Sequence, residues 1–217
     1  NRVIRYASII LYSIVDVGWR HEDDMCGRYL FTSDQYAEAR EITQMIRKKY
    51  GEGSWQPGEI TPGSKAPVLA VSHGAITPEL FTWGYRLPHT LVINARAENV
   101  MEKPLFRGSA ASRRCVVPSV GFFEWDALKR KYFFTLPGEP LLYMAGLYDI
   151  WNGQTCYCII TTAANTSMRE VHARMPLILA ENQMRAWLKQ ADTVGDILRT
   201  EPPQLVKQSQ EAQISLW

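Results

Sequence analysis

Short β-rich runs separated by turn signals are the feature that most limits how this chain can fold. The runs are Val68–Ser72, Glu79–Tyr85, Cys115–Val117, Tyr132–Leu136, Leu141–Tyr148 and Thr155–Thr162. Leu136-Pro137-Gly138-Glu139 lies between two of them, and Asn152-Gly153 between two others; Asn-Gly is a frequent two-residue hairpin turn. The pattern therefore predicts a largely antiparallel sheet.

Helical patterns lie at the margins of these runs. Ser33 is a candidate N-cap for a helix that continues to Tyr50 and is stopped by Gly51. Two shorter helices are expected over Glu181–Gln190 and Val194–Arg199. The sequence thus predicts a single α+β domain in which helices surround a sheet, and 217 residues are enough to bury a core without disulfides or metals.

Composition excludes several protein classes. With 46% hydrophobic and 21% charged residues of both signs, the chain is not intrinsically disordered. Its apolar runs stay below the roughly 18 residues that a transmembrane helix needs. A net charge of +2 is too small by itself to indicate a nucleic-acid partner. Neither a P-loop nor a GxGxxG motif is present, so we expect no nucleotide cofactor.

The cysteines indicate a reducing compartment. They are Cys26, Cys115, Cys156 and Cys158, and no pair has CxxC spacing. We expect reduced thiols in a cytoplasmic protein rather than a disulfide framework. Cys156 and Cys158 alternate with apolar residues in a predicted strand, which favours buried small side chains over metal ligands.

The first 24 residues differ from the rest of the chain. The apolar stretch Tyr6–Val15 resembles an export signal, but Asp16 follows it directly and no small-residue cleavage site comes after. We expect Met25 to be the initiator, with residues 1–24 arising from an upstream start assignment; the alternative is a propeptide removed before Cys26. Either route makes Cys26 the first residue of a domain over 25–217.

Five segments hold polar residues where a plain core would not. They are Met25–Arg28, Trp83–Tyr85, Asn94–Glu98, Gly121–Trp125 and His172–Pro176. Taken singly, each has a structural explanation. Glu124 could form a buried ion pair with an arginine, His172 could cap a helix that begins near Asn165, and Arg96 and Glu98 could form a surface pair.

Taken together, these motifs resemble the SRAP family, the SOS-response-associated peptidase-like proteins that crosslink to abasic sites in single-stranded DNA. The resemblance also includes Ala145–Tyr148, Ile160–Asn165 and the segment from His172 to Leu179, and it covers about Met25 to Trp187. One departure is the loop Gln56–Gly63, which lacks the family's asparagine-containing pattern. The resemblance implies a barrel-like fold, a role in the DNA damage response, no cofactor, no metal, no membrane and a monomer, nucleoid-associated when it acts on DNA.

The chemistry of an N-terminal cysteine agrees with this resemblance. An α-amine has a reference pKa of about 8, so a neutral, nucleophilic fraction exists at pH 7. That amine of Cys26 can condense with the aldehyde of an opened abasic sugar, and the thiol can then close a thiazolidine ring. An internal cysteine cannot do this because its nitrogen is an amide.

The resemblance also implies roles for other residues. Glu124 looks like the acid–base carboxyl, with burial beside Phe123 and Trp125 favouring its protonated form. His172 looks like a second proton-transfer group. Asn94 looks like the hydrogen-bonding group that positions Cys26 and the open sugar.

DNA-binding roles follow from the same resemblance. Arg28 and Arg96 look like phosphate contacts that flank the lesion. Trp83 looks like a platform or a wedge for an exposed base. Arg114 and Arg174 are further DNA-binding candidates, although one of them could instead be the structural partner of Glu124.

Two other functions remain open at this point. One is a thiol peptidase or autopeptidase that uses Cys26 with His172 and Glu124. The other is a non-covalent single-stranded nucleic-acid-binding module that uses the aromatic residues and the basic clusters Arg113-Arg114 and Lys129–Lys131.

Overall fold

The computed structural model describes residues 27–34 and 36–210. The predicted leader, residues 1–24, lies outside this part, and so do Met25 and Cys26. Among the described residues, no helix is long and apolar enough to cross a membrane.

The elements alternate along the chain much as the β-rich runs predict. The strands are β1 (Tyr29–Phe31), β2 (Gly58–Ile60), β3 (Lys65–Ser72), β4 (Ala75–Trp83), β5 (Tyr85–Arg86), β6 (Leu91–Val92), β7 (Asn94–Arg96), β8 (Arg114–Ser119), β9 (Gly121–Trp125), β10 (Lys131–Thr135), β11 (Leu142–Trp151), β12 (Gln154–Ala163), β13 (Arg174–Pro176) and β14 (Val206–Gln210). The helices are α1 (Ala37–Tyr50), α2 (Pro104–Ser112), α3 (Glu181–Lys189) and α4 (Val194–Leu198).

Five strands close into a barrel in the order β11, β8, β3, β4 and β12, with β12 pairing back onto β11. Every pair is antiparallel except β4–β12, where Thr82 and Trp83 lie opposite Cys156 and Tyr157 in parallel register. The predicted hairpin at Asn152-Gly153 joins β11 to β12, and both of its residues have the positive φ that this turn requires. The predicted α+β fold on a largely antiparallel, barrel-like sheet is confirmed.

A second antiparallel sheet, in the order β14-β10-β9-β1-β2, packs onto the barrel. Tyr29 on β1 places its hydroxyl 2.6 Å from the hydroxyl of Tyr157 on β12. The ring of Trp83 lies 5.2 Å from the Tyr29 ring and stacks on Tyr157 at 6.3 Å. All three side chains are at most 1% exposed. Burial raises the pKa of Tyr29 and of Tyr157, so this hydroxyl pair stays neutral throughout the physiological range.

The helices differ from the sequence prediction at the start of α1 and in the presence of α2, and α3 and α4 each end one residue earlier than predicted. α1 begins at Ala37, because Tyr36 rather than Ser33 is the N-cap, and Tyr36 makes no side-chain capping bond. α2 was not predicted, although Pro104 at its first turn is a typical start signal. Its buried Phe106 and Ala110 cover the barrel, which an isolated nine-residue pattern does not reveal.

Gly121 begins β9 at a point where the two strands of the β9–β10 pair approach closely. A Cβ at this position would lie 2.5 Å from the Phe134 carbonyl oxygen and 2.5 Å from the Phe133 ring. We expect Gly121→Ala to lower the free energy of unfolding by about 1–3 kcal/mol, because the backbone must move to relieve the clash. Denaturant unfolding measures this change.

Gly108→Ala is the matched control, since Gly108 lies inside α2 with its closest neighbour 3.4 Å from the added carbon. Removing a helical glycine should raise stability by about 0.5–1 kcal/mol. Equal unfolding midpoints for Gly121→Ala and the unaltered protein would show that β9 and β10 leave room for a methyl group at this position.

Candidate active site

The end of β9 brings Glu124 next to the segment that leads into β1. Tyr29 lies opposite Phe122 in antiparallel register, and the Phe123 N–H donates to the Arg28 carbonyl at 2.9 Å. Continuing this register two residues beyond the Tyr29–Phe122 pair sets Gly27 opposite Glu124. A Cβ at Gly27 would meet no atom within 4 Å, so the backbone here borders open space.

Glu124 is only 4% exposed and faces the core side of its sheet. Its strand partner is Tyr132, and the Trp125 N–H lies 3.4 Å from its Oε2. The expected burial of Glu124 is confirmed. Strand alternation places its side chain on the same face of β9 as Phe122, whereas Phe123 and Trp125 point to the other face.

A second group of candidate residues lies where β7 and β13 flank β12. Asn94 on β7 is opposite Ile159, and Arg96 is opposite Thr161, in parallel register. The Thr161 carbonyl accepts the Ala97 N–H at 2.9 Å and Nη2 of Arg174 at 2.7 Å. One carbonyl of β12 therefore ties together the motif at 94–98 and the motif at 172–176.

Arg174 reaches Glu98 and makes a bidentate ion pair with it. Nη2 lies 2.8 Å from Oε2, and Nη1 bonds to Oε1. Hydrogen bonds from Arg174 hold the pKa of Glu98 below its ordinary value, against a smaller opposing effect of burial. Arg96 is exposed and adds a further positive charge that favours the ionised form of Glu98. The bidentate partner of Glu98 is thus Arg174 rather than Arg96.

His172 is half-buried, two residues before Arg174. Its Nδ1 accepts the Arg174 backbone N–H at 3.1 Å, and its own backbone N–H donates to the Met168 carbonyl. An Nδ1 that accepts a hydrogen bond is unprotonated in the neutral ring, so the proton of the neutral form sits on Nε2. The backbone of β13 therefore sets both the tautomer and the orientation of this imidazole.

The Tyr29–Tyr157 hydroxyl contact lies between the Gly27–Glu124 group and the group of residues on β7 and β13. Gly27 lies two residues before Tyr29, and Ile159, the strand partner of Asn94, lies two residues after Tyr157. The strands β1 and β12, which lead to the two groups, are therefore in buried contact with each other.

The outer face of the second sheet carries cations over aromatic rings. The Arg28 guanidinium lies 5.8 Å from the Trp125 ring centroid, and Lys131 Nζ lies 5.7 Å from the same ring. Glu59 on β2 pairs with Arg28 and lies 3.6 Å from Lys131. Trp125 is half-buried. Sequence reasoning named Lys131 within a basic cluster but missed Trp125 as a surface ring; the cross-strand pairing of Lys131 with Trp125 brings the two together.

The prediction that Trp83 offers a stacking platform is wrong. Its ring is fully buried among core residues, and its indole N–H donates to the Ile93 carbonyl at 3.1 Å. A ring with no exposed face cannot receive a nucleobase. Trp83 instead fixes the residue that precedes Asn94, so it positions β7.

The prediction that Arg114 contacts DNA is also wrong. Arg114 is 7% exposed, and its guanidinium donates to the Ala110, Ala111 and Trp187 carbonyls. These carbonyls lie near the ends of α2 and α3, where free C=O groups need donors. Its neighbour Arg113 pairs with Asp149 at 2.8 Å, so this basic cluster is engaged in structural contacts.

The residues described between 27 and 210 contain no group of three or more His, Cys, Asp or Glu side chains that could hold a metal ion. Among the groups that are present, a carboxyl such as Glu124 and an imidazole such as His172 can in general transfer protons, and the Asn94 amide can donate and accept hydrogen bonds.

The sequence leads us to expect that Arg174 contacts single-stranded DNA; on that expectation, replacing Glu98 with glutamine should raise the affinity about threefold, because it removes a negative charge and loosens its hold on Arg174. The lowered pKa keeps Glu98 ionised at every pH above about 4, the ordinary carboxylate value, and its charge is lost only below that. The gain should therefore be the same at pH 6 and pH 8, measured by fluorescence anisotropy. A gain that vanishes at pH 6 would contradict this charge state.

Comparison with known proteins gives consistent matches over most of the chain. The family model described as SOS response associated peptidase (SRAP) matches residues 25–215. The chain is 33% identical over 197 residues to the abasic site processing protein YoaM of Bacillus subtilis, covering 81% of this chain and 84% of that protein. It is equally similar to the abasic site processing protein YoqW of the same organism, covering 85% of that protein.

The fold is also similar to that of solved structures. A crystal structure of a protein from Bacteroides thetaiotaomicron superposes with a TM-score of 0.70 at 23% identity, covering 85% of this chain and 91% of that one. At this level of identity the likeness concerns the fold alone.

Proposed function

The chain belongs to the SRAP family, and from this membership we propose that it processes abasic sites in single-stranded DNA by forming a covalent thiazolidine link through an N-terminal Cys26. The names of its relatives from Bacillus subtilis support a role of this chain at abasic sites in the DNA damage response. The covalent step and the single-stranded substrate are the further parts of the proposal.

The observation that carries the proposal is the register of β1 against β9. It sets Gly27 opposite the buried carboxyl of Glu124. Cys26 directly precedes Gly27 in the sequence. An acid–base group within a few ångströms of an α-amine and a thiol is what this condensation requires.

The covalent reaction balances as follows. The neutral Cys26 amine adds to the C1′ aldehyde of the opened sugar and forms a carbinolamine. Protonation of its hydroxyl by Glu124 releases one water and leaves an iminium ion, and the iminium N–H proton then returns to the Glu124 carboxylate to give the imine. The Cys26 thiol then adds to the imine carbon, its proton moves to the nitrogen, and a five-membered thiazolidine closes. The net change is the loss of one water molecule, with no oxidation or reduction.

His172 and Asn94 complete the proposed machinery. The neutral form of His172 carries its proton on Nε2, so it can donate to the sugar oxygen during ring opening and accept that proton back in the reverse reaction. Asn94, on the strand that Trp83 fixes, supplies neutral hydrogen bonds that hold the open sugar.

Three arginines would hold the DNA strand on either side of the lesion. Arg28, beside the half-buried Trp125, would contact phosphate from the second sheet. Arg96 and Arg174 would do so from the β7–β12 edge. Phosphate contacts fix position without reading base identity, which suits a protein that acts on a site lacking its base.

The proposal also requires that no peptide precede Cys26. A second activity, supported by the word peptidase in the family description, is self-cleavage of the bond before Cys26, with His172 and Glu124 as the proton-transfer pair. Intact-mass measurement of the chain with a short preceding peptide tests this activity. Release of that peptide, lost in Cys26→Ala, supports it, and an unchanged mass after prolonged incubation contradicts it.

Incubation of the protein that starts at Cys26 with abasic single-stranded DNA tests the main proposal. We expect an adduct that survives denaturing electrophoresis without any added reductant. The same strand with an intact base should give none. Equal adduct yields with and without the lesion would contradict the proposal.

A further inference from the structure

A cleft of about 160 Å³ opens at the end of the barrel where β3 begins, β4 ends and β11 turns into β12. The residues that define it here are Lys65, Thr82, Arg86, Trp151, Asn152 and Gln154. The candidate active site does not use these residues.

The charge of the cleft is positive. Lys65 and Arg86 are exposed, and neither forms an ion pair with a carboxylate in the described part of the chain. No aspartate or glutamate belongs to its described lining. Burial raises the pKa of the Cys156 thiol at the floor of the cleft. The positive charge of Arg86 acts in the opposite direction and lowers this pKa.

The walls of the cleft supply hydrogen-bond donors and an ordered apolar surface. Thr82 offers a hydroxyl, and Asn152 and Gln154 offer side-chain amides. The Trp151 ring stacks on the Tyr85 ring at 5.6 Å. Gly84 also lines the cleft, with φ +109°, and it packs so closely on Leu91 that a Cβ there would lie 2.7 Å from that side chain.

The cleft is separate from the active site. Cys156 in its floor precedes Thr161, the residue that ties Ala97 to Arg174, by five positions of β12. At about 3.3 Å per residue the two places lie roughly 16 Å apart along this strand.

We propose that this cleft is a phosphate subsite that takes the phosphate group of a nucleotide, with Lys65 and Arg86 as its cationic ligands. Two unpaired cations, neutral donors and no carboxylate complement a phosphate ester. A cavity below the roughly 300 Å³ of drug-sized pockets fits a phosphate with its sugar rather than a larger ligand. The phosphate comes from the DNA strand or from a free mononucleotide; the first source rests on the proposed function.

The first experiment tests the subsite without DNA. Inorganic phosphate and 2′-deoxyadenosine monophosphate are titrated into the whole protein, and the Trp151 indole resonance is followed by NMR. We expect saturable shifts that chloride at the same ionic strength does not produce, and that Lys65→Ala/Arg86→Ala removes. The control is Lys48→Ala/Arg185→Ala, which removes two exposed cations from α1 and α3 and should leave the shifts intact.

The subsite proposal would be overturned if chloride produced the same shifts. It would also be overturned if both double variants kept the shifts or if both lost them. Loss confined to Lys65→Ala/Arg86→Ala would support it. Because this readout contains no lesion and no crosslink, its failure is separable from failure of the abasic-site chemistry.

The second experiment identifies the source of the phosphate. Non-covalent affinity is measured for lesion-centred single strands of about 5 and about 17 nucleotides, lengths that bracket typical single-strand sites. If the strand supplies the phosphate, Lys65→Ala/Arg86→Ala should weaken only the longer strand, by about fivefold, and lower its log-log salt slope by about 0.7. Equal affinities of variant and unaltered protein for both strands would overturn the DNA source and leave the mononucleotide.

Discussion

Replacing Cys26 with alanine is expected to abolish the denaturant-stable adduct with abasic single-stranded DNA, a loss of more than about 10³-fold in rate. Alanine keeps the α-amine and therefore the ability to form an imine. It removes the thiol that closes the ring, so the imine hydrolyses back to amine and aldehyde. The measurement is the rate of adduct formation on a denaturing gel without reductant.

Two matched changes locate the origin of this loss. Cys26→Ser should give an adduct only when borohydride traps the imine, because a hydroxyl is a much weaker nucleophile than a thiol. A chain with one additional residue before Cys26 should give none under either condition, because its Cys26 nitrogen is an amide. Undiminished adduct from Cys26→Ala would mean that another nucleophile reacts with the lesion.

Replacing Glu124 with glutamine should slow crosslinking by about 10²-fold, the usual contribution of one general acid–base group. Glutamine keeps the size and the hydrogen-bonding reach of the side chain but cannot transfer a proton. The pH profile of the rate should lose the limb that reports this group, whereas the non-covalent affinity for the same strand should stay within about twofold.

Glu79→Gln is the control for loss of a buried carboxylate. Glu79 is 8% exposed and hydrogen-bonded to Lys49, Tyr50 and Thr77, on the face of β4 that α1 covers. This change should leave the crosslinking rate unaltered, although it should cost about 1–2 kcal/mol of stability at neutral pH. Equal rates for Glu124→Gln and the unaltered protein would remove Glu124 from the proton-transfer step.

The sheet could be predicted from the sequence because its signals are local. The β-rich runs, the turn at Asn152-Gly153 and the helix over 181–190 each carry their own pattern of residues. Closure of the barrel through the parallel β4–β12 pair depends on contacts between residues far apart in the chain. The α+β class was therefore predictable, while the strand order was not.

The errors at the site share a physical cause. Trp83 and Arg114 are residue types that often bind DNA, but both satisfy polar groups of the fold, a carbonyl before β7 and three helix carbonyls. Sequence shows which groups a side chain carries and not whether a buried backbone atom already uses them. The opposite error concerns Trp125, which sequence reasoning did not identify as a surface ring. Because successive side chains of a strand point to opposite faces, the burial of Glu124 places Trp125 on the outer face.

The most direct test of the central claim is the chemical state of Cys26 in the adduct. The DNA adduct is formed without reductant, treated with borohydride and iodoacetamide, digested, and analysed by mass spectrometry. We expect the N-terminal peptide joined to the sugar with the loss of one water, no hydrogen added by borohydride and no alkylation at Cys26. A peptide that gains two hydrogens and an alkylated Cys26 thiol, or a link at a lysine, would contradict the thiazolidine.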